Sequence, residues 1–508
     1  MIKPRIWERI AWRDSGALIL FGLGVTLLHI LVNGQYGFHR DELLTFDNAR
    51  HLAWGYVVYP PVTAFLGRVE LELFGPSLIG FRFFPALAQG VVLVLTGLTA
   101  RELGGQREAQ LVAATAVTIS GPSIWSGSSL SYTTFDYLWW VVAAYLVVRL
   151  LRTDDPRWWL AIGAAIGMGM LSKYTMGFFV VGILGGMVLT PARRFVKNPW
   201  FWCGVALTLL LMLPNVLWQA QHEFVSLAYM KTIHTRDIGW GWTDNFLVNQ
   251  LWKCSSPVTL PLWGAGLWLV FATVEGKRFR MLGWMYVIPL VVLFAIRGRD
   301  YYVAPAYPML LAAGAVWGER WLATLSERSA RIVRRVTWRT LVIAAFVGAA
   351  LVLPVAPLGT AWWRIADGAN GGNFNMETGW PELAATVAKI HSGLPAADRA
   401  QLAILAGDEG ETGAINMYGP ALGLPSAISG MNSNWMRGYP DPPPQTLITL
   451  GLKRDVLDRV FASCSLAGRV TYPQGIVNFT IQGYEDIYVC RNIRIPWPVF
   501  WRHFRYYG

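Results

Sequence analysis

The sequence predicts a polytopic α-helical membrane protein with long outer loops that carry surface helices and with a C-terminal soluble α/β domain. Of its 508 residues, 54% are apolar and only 15% are charged, whereas a soluble globular chain carries about 25% charged residues. Apolar runs of about 20 residues, the length that crosses a hydrocarbon core, recur along the first two thirds of the chain. Lys and Arg are concentrated in alternate connections between these runs, as in multi-pass membrane proteins.

The formal charge of +12 does not indicate a nucleic-acid partner. From Gly359 onward, 12 Lys and Arg balance 12 Asp and Glu, so the excess lies among the apolar runs. There it reports orientation in the membrane. The four cysteines give neither a metal-finger spacing nor a dense disulfide scaffold.

The apolar runs predict eleven transmembrane helices. They cover roughly residues 16–34, 82–100, 109–126, 135–151, 158–172, 174–190, 199–218, 257–274, 281–297, 302–323 and 339–358. The fifth and sixth are short and Gly-rich, and only Lys173 separates them. They are therefore also compatible with one re-entrant pair.

The basic residues predict the orientation. One set of connections, which starts at Lys3, Arg5, Arg9 and Arg13, holds 21 Lys and Arg. The other set holds 10, although it is much longer. Because basic loops stay in the cytoplasm, we expect a cytoplasmic N-terminus and a periplasmic or extracellular tail in a multi-pass protein of the bacterial inner membrane. The first apolar run is long and lacks a small-residue cleavage site, so no cleavable signal is expected.

Two domains follow from this pattern, a transmembrane module over 1–358 and an outer α/β domain over 359–508. Two outer connections of the module, 35–81 and 219–256, are far longer than a crossing requires. Long polar loops on one face of a helical scaffold favour a functional site there.

The tail combines a helix at Trp380–His391 with four predicted strands, Gln401–Ala406, Thr446–Leu450, Gly475–Thr480 and Ile487–Cys490. The loop Gly407–Gly413 follows the first strand, but its spacing is not the dinucleotide fingerprint and its acidic residues repel phosphate, which favours a turn. Cys464 and Cys490 both fall in the domain assigned to the oxidising side. They could form a disulfide that joins a helix to the sheet or remain two free thiols.

The acidic candidates lie at the outer ends of predicted spans. Asp41 and Glu42 follow the first span, and Asp136 stands at the mouth of the fourth. Acidic residues at the edge of a membrane bundle tend to face a cavity, because exposure to lipid is costly. The alternative is that Asp41 and Glu42 are solvated or cap the helix that follows them.

The cationic candidates on the same side are Arg40, Lys173, His222, His234, Arg297 and Arg299. Lys173 could simply extend to the interface from the end of a span. Arg297 and Arg299 with Tyr301 and Tyr302 could grip a phosphate headgroup. The alternative is an aromatic belt with flanking charges.

Several motifs occur in one order along residues 16–325. They are Asp41-Glu42, Tyr59-Pro60-Pro61, Leu171-Ser172-Lys173-Tyr174, Leu213-Pro-Asn-Val-Leu-Trp-Gln219 and Tyr302-Val-Ala-Pro305. Together they resemble the bacterial family 39 glycosyltransferases of the GT-C superfamily, relatives of the protein O-mannosyltransferases and of the lipid A aminoarabinose transferase.

The resemblance implies a GT-C membrane enzyme that moves a sugar from a polyprenyl-phosphate-linked donor to an envelope lipid, glycan or protein. Asp41 would be the base or the carboxylate that positions the acceptor, with Glu42 beside it. Lys173 and Tyr302 would lie near the donor phosphate, with His234 as a looser match. Asp136 matches a second acidic position that in some members helps to hold a divalent metal, so Asp41 and Asp136 are the candidate metal ligands.

One position departs from the family. Relatives that act on lipid A have a Lys immediately before the Pro-Pro pair, where this chain has Tyr59. Phosphate binding must then use other cations, and lipid A is a less favoured acceptor. The chemistry still matches the residues: cations hold the departing phosphate, a carboxylate takes or orients the proton of the attacking hydroxyl, and single inversion needs no second carboxylate.

Two other classes of protein are less favoured. A transporter or flippase would be expected to show internal repeats and polar residues near the bilayer midplane. The sequence has no repeat, and its polar clusters sit at one face. A sensor would use the tail as its ligand-binding part, but eleven spans exceed what anchoring needs.

Overall fold

The computed structural model describes residues 5–472 and 475–508, with side chains from Gly16 onward. The part of the orientation prediction that uses Lys3 and the side chains of Arg5, Arg9 and Arg13 lies outside the described residues.

The described chain is mainly helical. Its first α-helices are α1 Arg5–Val32, α2 Arg40–Arg50, α3 Val62–Phe74, α4 Phe83–Glu102, α5 Arg107–Val117, α6 Gly121–Ser126, α7 Tyr132–Thr153, α8 Trp158–Met170, α9 Met176–Val188, α10 Pro199–Gln221, α11 Val225–Gly239 and α12 Phe246–Asn249. They are followed by α13 Leu260–Ala272, α14 Arg280–Ala295, α15 Tyr307–Leu322, α16 Glu327–Val352, α17 Ala361–Ala369, α18 Trp380–Gly393, α19 Ala396–Ala400, α20 Glu409–Tyr418, α21 Asn432–Trp435, α22 Arg454–Val460 and α23 Trp497–His503.

Each of the eleven predicted spans overlaps a helix, but fewer helices are long and apolar enough to cross a membrane. In the described ranges five qualify, at Gly80–Glu102, Tyr132–Thr153, Pro199–Gln221, Glu275–Ala295 and Glu327–Val352. Two bent pairs raise the number to seven if each is one span, Met176–Val188 with Pro191–Lys197 and Phe246–Cys254 with Pro257–Ala272. The remaining predicted spans correspond to shorter helices or to helices that are broken, as at α5 and α6. The five to seven helices that pass are fewer than the eleven predicted spans because the others are too short to cross a membrane as one straight helix.

The chain divides into two compact units. The first comprises Met1–Asn33, Arg82–Trp218 and His234–Leu353, and the second comprises Gly34–Phe81, Gln219–Ile233 and Pro354–Gly508. The predicted module 1–358 included both long outer loops. The structure instead groups the first loop and the beginning of the second with the tail.

The core of the first unit is built by closely packed helices. A Cβ atom at Gly314 of α15 would lie 1.7 Å from the carbonyl oxygen of Leu262 in α13, and one at Gly266 would lie 2.1 Å from that of Leu310. Small residues let helix backbones approach in this way in membrane proteins. Between α7 and α9, the rings of Trp140 and Phe179 stack with centroids 4.4 Å apart.

The second unit contains a five-stranded mixed sheet. Its strands are β1 Leu402–Ala406, β2 Ala427–Ser429, β3 Thr446–Leu450, β4 Phe461–Arg469 and β5 Asp486–Ile493. Their order is β2-β1-β3-β5-β4. β1 is parallel to β2 and β3, whereas β5 is antiparallel to β3 and β4.

The strand predictions differ from this sheet at three places. The predicted strand Gly475–Thr480 is irregular backbone, and β2 and β4 were not predicted. Cys464 lies on β4 directly opposite Cys490 on β5, and a disulfide joins them. The bond therefore links two neighbouring strands rather than a helix and the sheet.

The first-loop helix α2 is part of the core of the second unit. Eight of its eleven residues, Glu42 to Ala49, are buried. A Cβ atom at Gly413 of α20 would lie 2.5 Å from the carbonyl oxygen of Leu43, so the two helices touch at that glycine. At the other end of α2, Arg437 donates hydrogen bonds to Asp47 and Asn48.

Candidate functional site

Glu42 has a structural role at the start of α2. Its Oε2 accepts a hydrogen bond from the backbone N–H of His39 at 2.8 Å, while Nδ1 of His39 accepts one from the N–H of Asp41 at 3.2 Å. This reciprocal arrangement is a capping box, which satisfies N–H groups at the first turn of a helix. Glu42 is fully buried. Its carboxylate therefore caps α2, which was the alternative to a role in catalysis.

Asp41 is the member of the pair that keeps its carboxylate available. It is half-buried, and in the described part of the chain its carboxylate accepts no hydrogen bond. It does interact electrostatically with Arg40 and Glu409. An available carboxylate at the first turn of a helix can accept or orient a proton of a substrate hydroxyl.

Arg40 is held in an ion pair within the second unit. Its Nε donates to both carboxylate oxygens of Asp408 at 3.1 Å, and its Nη2 donates to Oδ2 at 2.8 Å. Nη2 also lies 3.4 Å from Oε1 of Glu409. The guanidinium is therefore occupied by acidic residues at the start of α20, whereas the sequence had suggested a phosphate.

The acidic segment Gly407–Gly413 is the start of a helix, because α20 begins at Glu409, and the turn favoured from the sequence is wrong there. Asp408 is the N-cap of α20 and accepts a hydrogen bond from the N–H of Gly410 at 2.6 Å. Burial raises the pKa of Glu409 to about 7, with the positive charge of Arg40 acting in the opposite direction. Burial also raises the pKa of Glu411, to about 8, and the neighbouring Asp408 charge adds to it.

In the first unit, Lys173 is enclosed by aromatic rings. Its Nζ lies 4.5 Å from the ring centroid of Tyr302, 5.0 Å from that of Tyr301 and 5.1 Å from that of Tyr132. It donates a hydrogen bond to Oγ1 of Thr133 at 3.3 Å. In the described residues no carboxylate lies within ion-pair distance of this ammonium group. The cation is thus held by ring faces and is not neutralised by a direct partner.

Asp136 lies near this lysine but is fully engaged. Its Oδ1 accepts a hydrogen bond from Nε1 of Trp140 at 3.0 Å, and its Oδ2 accepts one from Oγ1 of Thr175 at 2.7 Å. It also exerts an electrostatic attraction on Lys173. Asp136 is only 2% exposed. It is therefore better placed to stabilise the charge of Lys173 than to exchange a proton with a substrate.

The two other predicted arginines are paired with aspartates. Arg299 binds Asp237 through Nε at 2.5 Å and Nη2 at 2.8 Å, and Arg297 binds Asp244 at 3.0 Å. His234 is exposed on α11. Tyr302 contributes its ring to the enclosure of Lys173. Of the predicted phosphate ligands in this unit, the structure therefore brings together Lys173 and Tyr302.

A resident metal does not fit the candidate ligands. In residues 5–472 and 475–508, no group of three or more His, Cys, Asp or Glu could hold a metal ion. Both carboxylate oxygens of Asp136 already accept hydrogen bonds. We therefore assign no step to a metal.

The sequence analysis missed several residues that define these sites. Asp408 was assigned to a turn, and Tyr132, Thr133 and Asp237 were not singled out. Tyr132 and Thr133 had a detectable signal, because they lie one turn before Asp136 at the start of the same helix. Asp408 had none, because it lies 368 residues from Arg40.

The fold matches that of ArnT from Cupriavidus metallidurans, whose structure is solved. The apo structure of ArnT from Cupriavidus metallidurans aligns with 94% of this chain and 98% of its own, with a TM-score of 0.55 and 16% identity. The structure of the same protein bound to undecaprenyl phosphate gives the same coverage, a TM-score of 0.53 and 15% identity. The chain thus shares the fold of ArnT, and five helices of its described residues are long and apolar enough to cross a membrane.

Sequence comparisons support the same family. The model of the family described as dolichyl-phosphate-mannose-protein mannosyltransferase, PMT_2, matches residues 58–218, which include Asp136 and Lys173. The lipid A galacturonosyltransferase RgtD of Rhizobium johnstonii is 27% identical over 302 residues, which are 58% of this chain and 61% of the relative. The match thus spans about three fifths of that relative's length. With the shared fold, these findings confirm the resemblance to the GT-C glycosyltransferases of family 39.

Proposed function

We propose that this protein is a membrane glycosyltransferase that moves a sugar from a polyprenyl-phosphate-linked donor to an acceptor at the outer face of the bacterial inner membrane. The observation that carries the proposal is the state of Lys173. Arg40, Arg297 and Arg299 are each bound to an aspartate, whereas Lys173 is enclosed by three tyrosine rings and has no carboxylate within ion-pair distance in the described residues. Among the candidate Lys and Arg side chains, it is the one that can take an anionic ligand without first losing an ion pair.

The leaving group gives Lys173 its role. When the bond between the anomeric carbon and the phosphate oxygen breaks, negative charge develops on the polyprenyl phosphate. An ammonium group in a site of low dielectric stabilises that charge more strongly than one in water. A charge-assisted hydrogen bond of this kind contributes about 1.5–3 kcal/mol.

Asp41 is the proposed base. Its carboxylate would accept the proton of the attacking acceptor hydroxyl while the sugar transfers with inversion, which requires no covalent enzyme intermediate. Glu42 would support Asp41 by fixing the first turn of α2, since it is occupied in the capping box.

The proposal includes eleven membrane passages, a cytoplasmic N-terminus and a tail on the outer side, as the basic asymmetry predicts. The shorter apolar helices Gly16–Val32 and Trp158–Met170 would contribute to these passages. For the acceptor we favour an envelope lipid, because the curated relative is named for lipid A. Tyr59, which replaces the family lysine, is buried, and its hydroxyl accepts a hydrogen bond from Asn48 at 2.8 Å. It therefore does not supply the missing cation.

The experiment is a transfer assay with the purified chain in lipid nanodiscs. Polyprenyl-phosphate donors that carry different sugars are offered with an envelope lipid extract, and mass spectrometry records the released polyprenyl phosphate and the glycosylated product. Asp41→Asn should lower turnover by about 10²–10⁴-fold, the usual contribution of a general base. Lys173→Met should lower kcat/KM for the donor by about 10- to 150-fold, because the lysine would hold the donor phosphate and stabilise the charge that develops on it.

Two substitutions at exposed positions of the tail serve as matched controls. Asp455→Asn repeats the change made at Asp41, and Lys389→Met repeats the change made at Lys173. Both controls should leave transfer unchanged. Absence of transfer from every donor by a folded wild-type chain would overturn the proposal. Movement of labelled polyprenyl-phosphate sugar between leaflets without transfer would instead identify a flippase. Normal turnover in Asp41→Asn would remove Asp41 as the base.

A further inference from the structure

The second unit contains a cleft at the carboxyl ends of β1 and β3. Its volume is about 360 Å³, and Gly407, Asp408, Glu411, Lys453, Tyr484 and Tyr506 are among the residues that line it. After β1 the chain continues through α20 to β2 on one side, and after β3 it continues through α22 to β4 on the other. Ligands of open α/β sheets bind where neighbouring parallel strands diverge in this way. The volume falls within the range of small-molecule sites, about 300–1,000 Å³.

Two glycines form the base of this cleft. A Cβ atom at Gly407 would lie 2.4 Å from the carbonyl oxygen of Gly451, and one at Gly451 would lie 2.3 Å from Oε2 of Glu411. Gly451 also has a φ of +63°, which lies in the left-handed region that favours glycine. The loops after β1 and β3 can therefore meet only without side chains, which brings the Glu411 carboxyl to the cleft.

The lining offers hydrogen-bonding groups of both kinds. The Asp408 carboxylate is already bound by Arg40 and by the N–H of Gly410. The Glu411 carboxyl accepts a hydrogen bond from the N–H of Gly407 at 3.2 Å and can accept another, and burial raises its pKa to about 8. On the other wall, Nζ of Lys453 lies 5.9 Å from the ring centroid of Tyr484, which is 37% exposed. The hydroxyl of Tyr506 donates to the carbonyl oxygen of Gly407 at 2.6 Å and holds its ring against the cleft.

We propose that this cleft binds a sugar ring, as a second binding site in the tail that is separate from the residues assigned to transfer. A hydroxylated ring presents donors and acceptors on its edge, which match the Glu411 carboxyl and the Lys453 ammonium group. It also presents a C–H face, which packs against a tyrosine ring such as that of Tyr484. A nucleotide or free phosphate fits less well, because two acidic residues face one exposed lysine.

The sugar could belong to a membrane glycolipid or to a free saccharide, since both present the same ring. Binding is measured on the full chain in nanodiscs, because the headgroups of alkyl-glycoside detergents would compete. Ligand-observed NMR titrations use D-galactose, D-glucosamine and D-galacturonate, with inorganic phosphate as the contrasting probe. A second set of titrations repeats the measurement with a glycolipid that carries the bound sugar in the same nanodiscs. Displacement of the free sugar by the glycolipid assigns the lipid source, and no displacement assigns the free saccharide.

The test variant is Lys453→Ala combined with Tyr484→Ala, which removes the exposed wall of the cleft. The matched control is Lys389→Ala combined with Leu466→Ala, which removes an exposed lysine and an exposed apolar side chain outside the cleft. At least one sugar should bind the wild type and the control equally and bind the test variant at least tenfold more weakly. Equal affinity for the test variant, binding of phosphate alone, or binding of none of the three sugars would overturn the proposal. Because binding is measured without turnover, such a result leaves the transfer proposal unaffected.

Discussion

The Arg40–Asp408 pair gives the sharpest test of how the first loop is built into the second unit. Both side chains are mostly buried, at 20% and 16% exposure, and the pair is bidentate. Removing one partner of a buried pair costs about 3–5 kcal/mol, whereas exposed pairs contribute about 0–1 kcal/mol. For the intermediate burial found here we expect Arg40→Met to destabilise the unit by about 2–3 kcal/mol. This corresponds to about a 30- to 150-fold fall in the ratio of folded to unfolded chain.

A double-mutant cycle isolates the pair. Asp408→Asn removes the charge but keeps an oxygen that can cap α20, because Asn is as good an N-cap as Asp. The two single variants and the double variant are compared by pulse proteolysis of the full chain during a urea titration. The double variant should be less destabilised than the sum of the singles by about 1–3 kcal/mol. A coupling below about 0.5 kcal/mol would refute the reasoning and return Arg40 to the candidate phosphate ligands.

Three further predictions concern stability and topology. Burial raises the pKa of Glu411 from 4.5 to about 8, so the folded state holds a proton that the unfolded chain releases. The stability of the second unit should then fall between about pH 4.5 and 8 by up to 1.4 kcal/mol per pH unit, and Glu411→Gln should flatten this slope in urea titrations at several pH values. Replacing Cys464 and Cys490 by Ser should cost about 3 kcal/mol for a loop of 26 residues, measured by thermal unfolding, whereas free alkylated thiols in the wild type would contradict the bond. Cysteines introduced at Ser329 and Ser392 should be labelled by an impermeant reagent only at position 392, and the opposite pattern would reverse the topology.

The membrane helices were predictable because apolar runs report them locally. The same local signal does not show where a helix breaks, as at Thr118–Ser120 between α5 and α6. In the tail, β1 and β3 were predicted because each is a buried apolar run of five residues. β2 is also mostly buried, but its three residues are too few to give a periodic signal. β4 was missed because it lies at the edge of the sheet and most of its residues are exposed, so it lacks the apolar alternation of a half-buried strand.

For the candidate site, local motifs could be predicted from the sequence, whereas the ion-pair partners of its arginines could not. The short motif around Lys173 singled out a lysine that the structure shows enclosed by tyrosine rings. The capping role of Glu42 was a local alternative that the sequence could state. The ion pairs of Arg40 and Arg299 were not predictable, because their aspartates lie 368 and 62 residues away. Long-range partners decide whether an arginine is available to a ligand, and a single sequence carries no direct record of them.

The burial of α2 against α20 also has a consequence for biosynthesis. The two helices are joined by a pair whose members are 368 residues apart, so the ribosome makes α2 long before its partner exists. At about 5–20 residues per second, the interval is roughly 20–70 s. During that time Leu43, which is buried in the finished protein and touches α20 at Gly413, has no α20 to cover it. The nascent first loop therefore exposes part of its apolar surface until translation of the tail is complete.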